Sequence, residues 1–127
     1  MTAPRRVRVL VCDDDAMIRE ALCEVLDAEP DIAVLGTAGD ADEAIELAER
    51  YEPSVVVMDL RMPGGGGVRA AREIRLRLPD TGILAFSAHG DSVMVAEVRR
   101  IGAVEYLRKG SGNSEIVAAV RRLGRTP

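Results

Sequence analysis

Val7-Arg8-Val9-Leu10-Val11-Cys12-Asp13-Asp14-Asp15 is an apolar, valine-rich run that stops abruptly at three carboxylates. A short run of this composition reads as a buried β-strand. Val55-Val56-Val57-Met58-Asp59 repeats the pattern, an apolar run ending on an acid. In an open α/β sheet, chemistry sits just past the carboxyl ends of the strands. If the two runs are parallel neighbours, their terminal acids meet at one edge of the sheet. At an effective dielectric of ~20, two charges ~4 Å apart repel by roughly 4 kcal/mol. A fold that gathers such charges either holds a cation with them or makes one of them reactive.

Working outward, strand-like and helix-like segments alternate five times. Strands are expected near 7–12, 32–37, 54–58, 83–87 and 103–107, and helices near 16–28, 41–51, 67–78, 92–100 and 113–123. Asp40 with Glu43 forms a capping box ahead of the stripe Ala44, Ile45, Leu47 and Ala48. Pro79 closes the third helix. Regular βα alternation with short connections predicts an α/β fold, a doubly wound five-stranded parallel sheet covered on both faces. The expected organisation is a tail over 1–6, one domain over 7–123, and a terminal tail or cut linker over 124–127.

Composition narrows the function classes. A net charge of −4 argues against a nucleic-acid-binding surface, since such modules are usually basic. No apolar run approaches the ~20 residues that span a bilayer. The start of the chain, residues 1–6, lacks the apolar core of a signal peptide, so cytoplasmic residence is the default expectation. Cys12 and Cys23 have no clustered spacing and read as small core hydrophobes.

The strand ends suggest one chemistry. Asp13, Asp14 and Asp59 supply oxygen ligands suited to a small hard cation such as Mg²⁺. Ser87, ending the fourth strand, offers a hydroxyl that can hydrogen-bond a phosphoryl oxygen. Of the 17 lysines and arginines every one is arginine except Lys109, which follows the fifth strand-like segment. Lys109 is either a stray surface lysine or the compact point charge of the site. These parts together describe phosphoryl transfer to a carboxylate, which needs positioning and charge stabilisation above all. Asp59, alone at its strand end, is the natural nucleophile. Asp15 is read as a helix N-cap and not as a ligand.

The chain resembles the receiver domains of two-component response regulators. The resemblance rests on Val11-Cys12-Asp13-Asp14, on 58–64 (Met58-Asp59-Leu60-Arg61-Met62-Pro63-Gly64), on Phe86-Ser87-Ala88 and on 102–109, which ends Tyr106-Leu107-Arg108-Lys109. It implies a flavodoxin-like strand order 2-1-3-4-5 and Asp59 as phosphoacceptor. It further implies that Asp14 binds Mg²⁺ directly, Asp13 mainly through water, and the Arg61 backbone carbonyl completes the shell. Ser87 and Lys109 would contact the phosphoryl group. Tyr106 is either a half-buried strand aromatic or the ring that changes rotamer when that group arrives. His89 is either a surface loop residue or, with Arg61, a gate for water. Gly110 follows Lys109 where many receivers have proline, which is more like receivers that precede a helix-turn-helix output domain, of the NarL/FixJ type.

The implied partners are a sensor histidine kinase or phosphotransfer protein, and a second copy on phosphorylation. The face built from the fourth helix, fifth strand and fifth helix, with Val95, Val98, Arg99 and Tyr106, is the expected switching surface. The first helix around Met17, Ile18 and Ala21 is the expected kinase dock. The glycine run Gly64-Gly65-Gly66-Gly67 is expected to form a loop that is mobile without metal, because glycines lose extra backbone entropy on ordering. Three rival readings stand beside this one. A flavodoxin needs a phosphate loop where three aspartates stand here. A dehalogenase-type phosphatase needs a threonine where Met17 stands. A stand-alone receiver or pseudo-receiver would act purely as a protein-interaction module.

Overall fold

The computed structural model describes residues 6–64, 66–87, 92–102 and 104–125, and for Ser87 the main chain alone. Its five strands are β1 (Val7–Cys12), β2 (Ile32–Ala38), β3 (Val55–Asp59), β4 (Gly82–Ser87) and β5 (Val104–Arg108). The helices are α1 (Ala16–Asp27), α2 (Ala41–Tyr51), α3 (Gly66–Arg77), α4 (Ser92–Arg99) and α5 (Asn113–Arg125). All strand pairs are parallel and the order is β2-β1-β3-β4-β5, the doubly wound topology expected.

Period-two alternation divides the core into two layers. Val9, Val11, Val55, Val57, Leu84 and Phe86 pack with Leu22 and Leu26 of α1 and with Ile116 and Val120 of α5. Leu10, Cys12, Val56, Met58 and Ile83 face the other way, onto Ala44, Ile45 and Ala48 of α2 and Ala71 and Ile74 of α3. A smaller cluster, Leu60, Val68, Ala85 and Val98, seats α4. Every residue of β3 is buried, as a central strand covered on both faces must be. Both cysteines are free, and Cys12 is buried with its thiol pKa pushed far up by desolvation.

Two expectations need correction. Helix α5 continues to Arg125, two residues past the end expected at 123. Leu123 is still buried there, and Arg122 and Arg125 in the last turn complement the helix dipole. The glycine run is not simply a loop either, since α3 already begins at Gly66. At Gly67 an added Cβ would stand 2.4 Å from the Asp59 carbonyl oxygen and 2.8 Å from the Leu60 Cα. Glycine at 67 is therefore a close-approach residue that lets α3 start directly behind the end of β3. Among the described residues no helix is long and apolar enough to cross a membrane.

Candidate functional site

Register brings the acids together. Cys12 is aligned with Met58, so Asp13 leaves β1 beside Asp59, the last residue of β3. Carboxylate oxygens of Asp13, Asp14 and Asp59 lie within 4.8 Å of one another. Asp13 and Asp59 are 2% and 3% exposed, whereas Asp14 opens to solvent. Three hard oxygen donors, two recessed and one open, fit a divalent cation such as Mg²⁺.

Each buried acid is oriented by a backbone donor two residues ahead. The Asp15 N–H donates to Asp13 Oδ1 at 2.9 Å, and the Arg61 N–H to Asp59 Oδ1 at 3.0 Å. Lys109 Nζ stands 3.0 Å from Asp59 Oδ2 and 3.6 Å from Asp13 Oδ2. The ammonium thus bridges both buried carboxylates, and the stray-surface reading of Lys109 falls. Burial pushes the Asp13 carboxyl above its ordinary value, and the charges of Asp59 and Asp14 push the same way. The Asp15 N–H and Lys109 only partly offset this. Burial alone would lower Lys109, but the hydrogen bond and charge of Asp59, then Asp13, raise it above the usual lysine value. The lysine is therefore held as a cation.

The turn after β1 is built as its sequence suggests. Asp15 caps α1, its carboxylate accepting from the Met17 and Ile18 N–H groups. Asp13 and Asp14 are left for the site. After β5 the chain leaves through Gly110 at φ +97°, a conformation that proline cannot adopt.

The remaining candidates sit around this centre to different degrees. Phe86 is aligned with Asp59 and Ser87 with Arg108, which puts the Ser87 main chain at the same sheet edge. The Ser87 side chain and all of His89 lie outside the described residues. Tyr106 is half-buried on β5, aligned with Ala85, and its ring centroid is 6.0 Å from the Arg99 guanidinium carbon. Met17 is 80% exposed on the first turn of α1, beside the acids.

Reading the sequence missed two residues that shape the site. Arg19 Nη1 donates to the Asp13 carbonyl at 2.6 Å. Its position four residues after the N-cap was a usable signal, because helical side chains lean toward the N-terminus. Gly67 was noticed only as part of a glycine run, and the backbone approach that requires it has no local signature.

A model of the response regulator receiver domain family matches residues 9–121. The transcriptional regulatory protein LiaR of Bacillus subtilis (strain 168) is 40% identical over 115 residues, covering 91% of this chain and 54% of that protein. The transcriptional regulatory protein DegU of Brevibacillus brevis is 34% identical over 116 residues, covering 91% and 49% respectively. The chain spans about half the length of the curated relatives it matches. Among solved structures, the signal receiver domain of NarL from Mycobacterium tuberculosis aligns with a TM-score of 0.89 at 36% identity, covering 98% of this chain and all of that one.

Proposed function

Because the chain belongs to the response regulator receiver domain family, we propose that Asp59 is its phosphoacceptor and that phosphorylation switches the α4-β5-α5 face. One observation carries the reading. The Asp59 carboxylate is buried at a strand end, with the Asp13 and Asp14 carboxylates within 4.8 Å and Lys109 Nζ at 3.0 Å. A receiver domain acts as a signalling switch and takes its phosphoryl group from a histidine kinase or phosphotransfer partner.

In the proposed reaction an Asp59 oxygen forms the new bond to phosphorus as the bond from phosphorus to the donor's nitrogen breaks. Asp13, Asp14, Asp59 and the Arg61 carbonyl would hold Mg²⁺, which supplies charge neutralisation for the transferring group. Lys109 stabilises the phosphoryl oxygens as they approach. Its contact with Asp59 Oδ2 is then exchanged for one with the phosphoryl group, while the Arg61 N–H keeps the carboxylate in place. The Ser87 hydroxyl contributes a second hydrogen bond to the same group. The new charge of about −2 redraws the electrostatics of this edge.

The output side is β5 and its neighbours. Lys109 and Tyr106 lie three residues apart, so a pull on the lysine is felt along β5. Tyr106 changes rotamer and its contact with Arg99 is remade. Val95, on the same helix as Arg99, extends this surface for a second copy of the chain or an output partner, whereas Val98, expected there too, is buried in the cluster that seats α4 and is not part of it. His89 with Arg61 controls how water reaches the phosphoaspartate. The kinase docks on α1 around Met17, Ile18 and Ala21, beside the acids. The receiver comprises the chain from about residue 7 through α5, in a cytoplasmic setting where ATP-dependent kinases act. Curated relatives are named transcriptional regulators, which supports an output through a DNA-binding region outside these residues.

Intact mass after incubation with Mg²⁺ and a small acyl phosphate tests this reading. Wild type gains one base-labile phosphoryl group and Asp59→Asn gains none. Equal labelling of both, or of neither, overturns it.

A further inference from the structure

We infer that Arg19 is a positioning residue that orients the Asp13–Asp14 peptide, and through it the solvent-facing carboxylate of Asp14. The inference rests on the reading of Asp13, Asp14 and Asp59 as a cation site.

The three acids are not supported equally. Asp13 accepts the Asp15 N–H and meets Lys109, and Asp59 accepts the Arg61 N–H and meets Lys109. The Asp14 carboxylate receives no hydrogen bond from any described residue. With no such bond, its direction depends chiefly on where the backbone places it. That backbone is pinned on both sides: the Asp13 N–H donates to the Ala38 carbonyl at 3.0 Å, and Asp15 caps α1. Between these anchors lies the Asp13–Asp14 peptide, whose acceptor is the Asp13 carbonyl oxygen. Arg19 Nη1 takes it at 2.6 Å, short as charge-assisted bonds are.

Arg19 is itself well placed to do this. Its own N–H bonds the Asp15 carbonyl at 3.0 Å, which starts α1 and fixes the base of the side chain. The side chain then leans back over the helix N-terminus. Across the gap lies Gly39, just past the end of β2, where an added Cβ would come within 3.3 Å of Arg19 Nη1. The missing side chain at 39 leaves room for the guanidinium. Arg19 thus brings a positive charge to the rear of the acid turn without occupying the space in front of it. It touches neither a metal nor a phosphoryl group, and acts through Asp14.

Outer partners that orient metal ligands typically contribute 10–100-fold to affinity. Arg19→Ala should therefore weaken Mg²⁺ binding about tenfold, measured by isothermal titration. Only one guanidinium nitrogen reaches the Asp13 carbonyl, so an ammonium can substitute, and Arg19→Lys should recover most of the loss. Gly39→Ala, which removes nothing from Arg19 but crowds Nη1, should weaken binding in the same direction by less. In metal-free protein, the Asp14 amide resonance should move or broaden in Arg19→Ala and return in Arg19→Lys. Unchanged Mg²⁺ affinity in Arg19→Ala overturns the inference. So does a loss that Arg19→Lys fails to recover while all variants melt earlier, since that marks a general structural role. Wild type with no measurable Mg²⁺ binding overturns the cation reading instead. The metal-free Asp14 amide then still decides Arg19, an unperturbed resonance in Arg19→Ala counting against it.

Discussion

The two halves of the site are built to different standards. On the β1–β3 side, β3 is buried throughout, and Asp13 and Asp59 are each locked by a backbone N–H. On the β4–β5 side, β5 is half-buried along most of its length, α4 buries only Val98, and Lys109 reaches the acids from an exposed turn. Preorganised acids suit a cation whose ligands must be in place beforehand. A lightly packed strand leading into the lysine suits a part that must move, since elements that switch are drawn from the less stable regions of a fold. On the proposed reading, one half holds and the other responds.

The contrast can be broken most forcefully at Gly67. A methyl there meets backbone atoms of Asp59 and Leu60, which cannot yield as a flexible side chain would. Gly67→Ala should cost about 3 kcal/mol in urea denaturation and displace the Asp59 end of β3. A near-neutral result would mean that the acid half is less rigid than described.

Lys109→Met comes next. It leaves two buried carboxylates without their shared cation and should cost about 2 kcal/mol in metal-free protein. Adding Asp59→Asn should return most of that loss, because the repulsion is then gone. If the double variant is no more stable than Lys109→Met, the lysine is not balancing these acids.

Smaller still is the pH dependence, and its sign is diagnostic. Asp13 titrates above its ordinary 3.8 when folded, so the folded state holds that proton more tightly than the unfolded chain. Its ionised form costs stability at neutral pH, and the cost disappears as pH falls through the raised value. Lys109, raised above 10.5, contributes fully below that pH and is lost as pH rises through its folded value. Metal-free wild type should therefore gain stability relative to Asp13→Asn on acidification from neutrality toward the ordinary carboxylate range. An unchanged difference between them across that range would contradict the assignment.

The gentlest probe is Arg99→Ala on the responsive half. Loss of the contact with the Tyr106 ring should change stability by about 0.5 kcal/mol or less. It should nonetheless change phosphorylation-dependent association, read by sedimentation-velocity ultracentrifugation. Unaltered association would separate α4 from the switching surface.

Much of this was legible in the sequence because it is local. Apolar runs that end on acids, Asp15 and Asp40 at helix starts, and one lysine among arginines carry their meaning within a few residues. Strand order became legible only through the family resemblance, since apolar pattern alone does not say which strands are neighbours. What stayed hidden depends on distant backbone. Thr81 Oγ1 donates to the Pro53 carbonyl at 2.8 Å, and Arg121 reaches back to Asp31 and Glu29. Gly67 needed the end of β3 in view before its lack of a side chain had a reason. The end of α5 lies beyond the expected 123, since the helix carries on through Gly124 to Arg125.

The account stands on Asp59 as the reactive carboxylate among three. Borohydride reduction of the protein after acyl-phosphate treatment with Mg²⁺, followed by peptide mass mapping, reads the modified position directly. Conversion of the aspartyl phosphate to the corresponding alcohol should be found at residue 59 alone. Reduction at Asp13 or Asp14 with residue 59 intact would contradict it.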